Sequence, residues 1–375
     1  MSNLDVLHVV LGLHWYQPHT QKRTVLKKII ENSYLPILAA IEDVCSGSIA
    51  CDIAGSLILQ LAEEAPEVIE KISALKKAGK ITLVNTAAYH PILPLVPANF
   101  AENQLLVNEN ILRQCGLLSP EEKPSGVFPP EMAYDEKLLP ILKKLGAKWV
   151  VTDDLPYNTV YKFPTPARWL AKREGIVCFL RSRLWSSEMS FKMPRGDDYA
   201  DNLFNNFGTQ FKKSVHQAYV VLWTDAETFG EHHSGAVEHF LKPFIRTKRA
   251  SPILLVSPDD LLKLYGVYDT AIPAGSWSSG AEDIPNIPYG LWKNPKEEWH
   301  KLWWELADLS LKISDANQEA SVFCDRALYS CQTWWWSLYK NKDLFLWAMP
   351  DFRKILEYGT SEQRKTGENL IFRLS

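Results

Sequence analysis

The sequence predicts an α/β fold, a (β/α) barrel of about seven strands followed by an α-helical region. Three observations predict it. Short apolar, β-branched runs alternate with amphipathic helix patterns, the signature of a parallel sheet built from βα units. Run after run ends in His, Asp, Glu or Arg while the opposite end is plain, so the polar groups gather where barrel strands share one face. From about Pro258 onward the pattern becomes helical. On this reading residues 1–260 form the barrel and residues 261–375 the helical domain.

The elements follow in order. Val6–Leu13 is the first buried strand, and Pro18 stops it behind the polar–aromatic cluster His14-Trp15-Tyr16-Gln17-Pro18-His19. Cys51–Leu61 is a second apolar run with Gly55 inside it. After Pro66 a helix places Val68, Ile69, Ile72 and Leu75 on one face, and Gly79 ends it. Ile81–Val84 is then a strand leading to Tyr89-His90-Pro91. The next strand, at Val127-Phe128, halts at Pro129-Pro130 because neither proline donates to a ladder, and Glu131 stands where the chain leaves the sheet. Trp149–Thr152 ends in Asp153-Asp154, Ile176–Leu180 in Arg181 and Arg183, and Tyr219–Trp223 in Asp225, Glu227 and His232-His233. Ile253–Val256 is a further candidate strand. Helices are expected over Lys296–Ile313, Ser321–Leu338 and Phe352–Tyr358.

Composition narrows the class. The 375 residues are 46% apolar, enough for a sizeable core. A formal net charge of -3 leaves no electrostatic footprint for nucleic acid or an anionic membrane. The basic runs Lys212-Lys213 and Arg246–Arg249 read as solvated faces. None of the six cysteines forms a C-x-x-C pair, which argues against zinc-ribbon and thioredoxin readings, and no metal or cofactor is expected. Cys178, inside an apolar run, reads as a buried thiol. Without a basic head, a cleavage site or a bilayer-length apolar segment, the expectation is a cytoplasmic protein with reduced thiols. The fourteen tryptophans, many in the second half, suit wide packing or platforms for flat ligands such as sugar rings. Bases are the weaker choice without basic charge.

The acids carry the chemistry. Asp225 and Glu227 are two apart and share a face if the strand persists, which raises the pKa of one and suits a general acid. Glu131 adds a second acidic arm from a different strand. Two carboxylates flanking one bond are the minimal equipment for glycoside hydrolysis: one protonates the leaving oxygen and the other attacks the anomeric carbon. The bland alternatives are a solvated loop Glu131 and an Asp225 that caps a turn.

Five segments extend this. His14-Trp15-Tyr16-Gln17-Pro18, Gly79–Leu83 with Tyr89-His90-Pro91, Phe128-Pro129-Pro130-Glu131, Asp225-Ala226-Glu227-Thr228-Phe229-Gly230, and Pro288–Trp292 through His300 resemble the motifs of the family-57 glycoside hydrolases. That family acts largely on α-glucans with retention of configuration, and the resemblance covers most of the chain. It implies a distorted (β/α)7 barrel with a C-terminal α-helical domain that completes the substrate cleft. It implies Glu131 as nucleophile and Asp225 as acid/base, with His14, Gln17, His90, Glu227, Trp277, Trp292 and His300 as contacts to an α-glucan or maltooligosaccharide. Tyr16 replaces a motif His, and Thr82 stands where the family usually has Glu. The chain is short for the family, so extra binding domains are not expected. Trp292 and Trp303 equally suit domain-interface packing, and Arg181 suits a salt bridge to Asp153 or Asp154. Two other functions fit the same residues. One is a non-catalytic glucan-binding protein. The other is a metal-dependent polysaccharide deacetylase using Asp153-Asp154, for which His233 and His239, six apart, are poorly spaced to share a face.

Overall fold

Strand β1 (Val6–Trp15) shows how the chain divides inside from outside in the computed structural model, which describes residues 4–162, 167–210, 215–246 and 252–375. Leu7, Val9, Leu11 and Leu13 join an outer core shared with the surrounding helices, whereas Val10 joins Ala50, Val84, Val151 and Val221 in an inner one. The alternation of a strand thus puts His8, Gly12 and His14 on the inner side. Lys212-Lys213 and Thr247–Arg249 lie outside the described residues.

The remaining strands are β2 (Ile49–Ile53), β3 (Ile81–Val84), β4 (Gly126–Val127), β5 (Trp149–Asp153), β6 (Leu170–Arg173), β7 (Ile176–Arg181), β8 (Gln217–Asp225), β9 (Ile253–Leu255) and β10 (Val267–Asp269). In parallel pairing, β8, β1, β2 and β3 form one arc, and β4, β5 and β7 form another. The arcs meet at Asn85↔Val127 and at Arg181↔Val221, one residue pair each. The first joint is bonded from Asn85 N to Gly126 O (3.0 Å) and from Phe128 N to Asn85 O (2.8 Å). The second is bonded from Ser182 N to Val221 O (2.8 Å). Seven parallel strands therefore close into the barrel that the sequence predicts. The further apolar run becomes β9, beside the N-terminal half of β1, while β6 turns back against β7 and carries β10.

Two glycines admit large rings to the interior. A Cβ on Gly12 would stand 1.9 Å from the Trp223 ring, and one on Gly126 2.0 Å from the Trp149 ring. Both indoles still satisfy their N–H groups, Trp223 on Asp52 Oδ1 (2.9 Å) and Trp149 on Asp259 Oδ1 (3.1 Å).

Several boundaries differ from the sequence pattern. The apolar run Cys51–Leu61 divides at Ala54 into β2 and the helix Gly55–Glu64. The expected helix Ser321–Leu338 is two, Gln318–Ala327 and Cys331–Tyr339, because the chain breaks where Ser330 N donates to His90 O (3.0 Å). Phe352–Tyr358 is the end of the longer helix Asp343–Leu356, which has Pro350 inside it, and the helix expected at Lys296–Ile313 runs Glu298–Ala316. A final helix, Ser361–Leu374, completes the set. These helices share an apolar core with the barrel's Val127, Val150 and Cys178 and with the helix Leu139–Leu145. Among the described residues no helix is long and apolar enough to cross a membrane.

Candidate active site

The C-terminal strand ends surround a cavity of about 930 Å³, a volume typical of small-molecule sites. His14, Gln17, Glu131, Asp225, Glu227 and Trp277 line it. Register places His14 opposite Asp52 on β2 and opposite Asp225 on β8. Its Nδ1 bonds Asp52, and its Nε2 lies 3.1 Å from His90 Nε2. His90 Nδ1 in turn lies 2.8 Å from Ser330 Oγ. Burial opposes charge on His14, but Asp52, with Asp225 and Glu131 behind it, outweighs burial and raises the imidazole to about 9. The protonated ring donates from both nitrogens, so His90 accepts at Nε2 and donates from Nδ1 to Ser330. Burial and then the His14 charge push His90 well below the ordinary range, in keeping with this neutral role.

Glu131 sits in the one-turn segment Pro130–Met132 with φ 61°, and Met132 follows with φ 50°. His90 shares this left-handed conformation with φ 61°. For non-glycine residues it costs about 1–2 kcal/mol each and persists only where surroundings impose it. Here Met132 N bonds Pro129 O (2.8 Å), Thr152 Oγ1 donates to Met132 O (3.2 Å), and Trp277 N donates to Glu131 O (3.2 Å). The indole of Trp277 also donates to Glu131 Oε2 at 2.7 Å. Burial raises the Glu131 carboxyl, the indole bond opposes it, and the neighbouring Asp225 charge adds to the rise, leaving it at about 7.

The strand ends at Asp225. A single turn, Ala226–Thr228, follows, so Asp225 and Glu227 do not share a strand face as the sequence suggests. Glu227 is drawn instead to Tyr34 and Gln17, which both donate to its Oε1, Gln17 at 2.9 Å. Gln21 holds Gln17 through its Oε1 (2.6 Å). Burial and then the Asp225 charge push Glu227 up to about 7 despite these bonds. The raised carboxyl expected of the pair is therefore Glu227, with burial as the larger cause.

Other singled-out residues stand further back. His90 is buried, its ring stacked 3.8 Å from that of Tyr16, which does reach the cavity. Trp292 packs among Ile92, Ala133 and Tyr289. His300 is also interior: it accepts the Asn294 N–H at Nδ1 (3.0 Å) and so carries its proton on Nε2, toward Thr333 O (3.3 Å) and Ser337 Oγ (3.1 Å). Neither Trp292 nor His300 is a wall of this cavity. Thr82 bonds Ser48 (2.8 Å) and also lies off it. Of the two acids offered to Arg181, Asp153 takes it at 2.6 Å and takes Arg183 at 2.9 Å. Among the described residues no three His, Cys, Asp or Glu side chains converge as metal ligands.

Sequence reasoning passed over Asp52, Tyr34 and Ser330, and it read Trp334, Trp335 and Trp347 only as part of the tryptophan surplus, without placing them at the cavity they line. A charged residue inside the apolar run Ile49–Ile53 was a readable signal for Asp52.

Fold and cavity together define a class: a closed (β/α)7 barrel with carboxyl groups gathered at its C-terminal mouth. The chain belongs to glycosyl hydrolase family 57, whose model matches residues 8–274. An α-amylase of Pyrococcus horikoshii is 26% identical over 148 residues, 40% of this chain and 23% of its own. Alpha-amylase 1 of Dictyoglomus thermophilum is 27% identical over 277 residues, 72% of this chain and 38% of its own. The chain thus spans well under half the length of these curated relatives. Among solved structures, the GH57-type branching enzyme of Pyrococcus horikoshii superposes with TM-score 0.75 at 16% identity, covering 99% of this chain and 94% of that one. The 4-alpha-glucanotransferase of Thermococcus litoralis does so with TM-score 0.69 at 19% identity, covering 88% and 56%.

Proposed function

We propose that this protein is a retaining glycoside hydrolase or glucanotransferase acting on α-glucans or maltooligosaccharides. One observation carries the reading: in a family-57 chain, Glu131 and Asp225 open on one cavity with the charged His14 beside both. Glu131 attacks the anomeric carbon and forms a glycosyl-enzyme. Asp225 gives its proton to the departing oxygen, then takes one from the incoming water or sugar hydroxyl. The imidazolium of His14 favours the ionised form of Glu131 that must attack. The names of the relatives, α-amylase and 4-alpha-glucanotransferase, support α-glucan as the substrate class. The barrel, residues 1–260, supplies the acids, and residues 261–375 help grip the chain.

The test is Glu131→Gln assayed on maltooligosaccharides. Turnover should vanish while calorimetry still records glucan binding; undiminished turnover overturns the assignment. In the parent protein, kcat/KM should decline as pH falls below about 7, where Glu131 takes up a proton. A parent that binds glucan and forms no product belongs to the binding-protein reading instead.

A further inference from the structure

We propose that Asp153, Arg183 and Trp277 form a clamp that positions Glu131 and sorts its two oxygens, Oε2 held by the indole and Oε1 left to attack. The proposal rests on the reading of Glu131 as nucleophile. The clamp begins in the wall of the barrel. Asp153, the last residue of β5, is fully buried and binds Arg181 and Arg183 through its two oxygens. Arg183, so fixed, donates from Nη2 to the backbone oxygen of Trp277. The Arg181 guanidinium lies over the same indole, 5.4 Å from its centroid. The loop itself is bridged to the Glu131 turn: Tyr134 N donates to Gly275 O (2.8 Å) and Gly275 N to Tyr134 O (3.1 Å). Trp277 is thereby held at its main chain, its carbonyl and one ring face before its N–H reaches Oε2 at 2.7 Å.

This matters because the turn alone does not aim the carboxylate. Glu131 has a strained backbone and a flexible side chain, and among the described residues the indole is the hydrogen-bond donor to its carboxylate. Misplacing a reacting atom by about 1 Å costs on the order of a hundredfold in rate. Trp277 therefore acts as a positioning residue. A role purely as a sugar platform would leave its N–H and its Arg181-covered face without purpose.

Trp277→Phe keeps a ring and removes the N–H. Two readouts test it. The first is the Glu131 titration, followed by NMR on protein labelled at the glutamate carboxyl carbons, with Glu131→Gln assigning the signal. Loss of the donor should move the Glu131 titration to higher pH. A titration unchanged from the parent overturns the clamp, whether or not the parent turns over glucan. The second readout is kinetic: kcat on maltooligosaccharides should fall roughly tenfold to a hundredfold at near-constant KM, with the acid limb of kcat/KM moved upward. A raised KM with kcat kept is the mark of a sugar platform and also overturns it. If Trp277→Phe fails to fold, Arg183→Gln, whose side chain is 29% exposed, should move the titration the same way by a smaller amount, and no movement overturns the proposal. A parent without turnover whose Glu131 still responds removes the catalytic reading and leaves the clamp.

Discussion

His14 is buried with Asp52 on one ring nitrogen and keeps its proton to about pH 9, against an ordinary value of 6.5. Its folded pKa is raised, so the pair's contribution to stability is whole below about pH 6.5 and drains away as pH rises through 9. Glu131 and Glu227 act in the same direction. Each carboxyl is raised from 4.5 to about 7, so the folded state binds the extra protons and loses stability as pH climbs through that window. These three groups therefore contribute most to stability where Glu131 is protonated. Urea midpoints measured against pH should fall between about 6.5 and 9 in the parent and fall less steeply in His14→Gln, which takes the imidazolium from Asp52 and leaves it the Trp223 indole. Parallel slopes for the two proteins would count against a charged His14.

At the scale of the element, the tight fit is between β1 and β8, where Gly12 faces Trp223 in register. Gly12→Ala drives a methyl into the indole at 1.9 Å. The expected loss is about 1–3 kcal/mol, read as a lower urea midpoint at unchanged slope. A variant as stable as the parent would show that the Trp223 ring has room to give. The same elements show what a sequence reveals. The strand ends near His14, ahead of Glu131 and at Asp153, Arg181 and Asp225 were legible because the apolar runs stop there, before Pro18 and Pro129 most sharply. Asp52 showed as a charge within an apolar run, but its partner did not, since His14 lies 38 residues away in sequence. Glu227 was legible as an acid of the cleft, but its partners were not: Tyr34 and Gln17 lie 193 and 210 residues away in sequence, and no local pattern connects them to it. The break at Ser330 likewise answers to His90, a distant backbone oxygen, and not to helix propensity. The surplus of tryptophan was visible, but which rings face the cavity is decided by helix packing.

Across the whole molecule, the helices Cys331–Tyr339 and Asp343–Leu356 bring Trp334, Trp335 and Trp347 to the cavity over the barrel mouth. Trp335 and Trp347 keep 37% and 40% of their surface exposed, well beyond what core packing leaves. Removing both as Trp335→Ala/Trp347→Ala should raise KM for long maltooligosaccharides by about tenfold and leave a short activated glucoside unaffected. Equal effects on both substrates would place these rings outside the glucan's path. The barrel's closure bears on the acids as well. Glu131 follows β4 on one arc and Asp225 ends β8 on the other, and the arcs touch at a single residue pair on each side. Either route round the ring from Glu131 to Asp225 crosses one of these seams. The gap between the two carboxyl groups is thus set by how two half-cylinders lean together, and a substitution at Asn85 or Val221 can reset it without altering either acid.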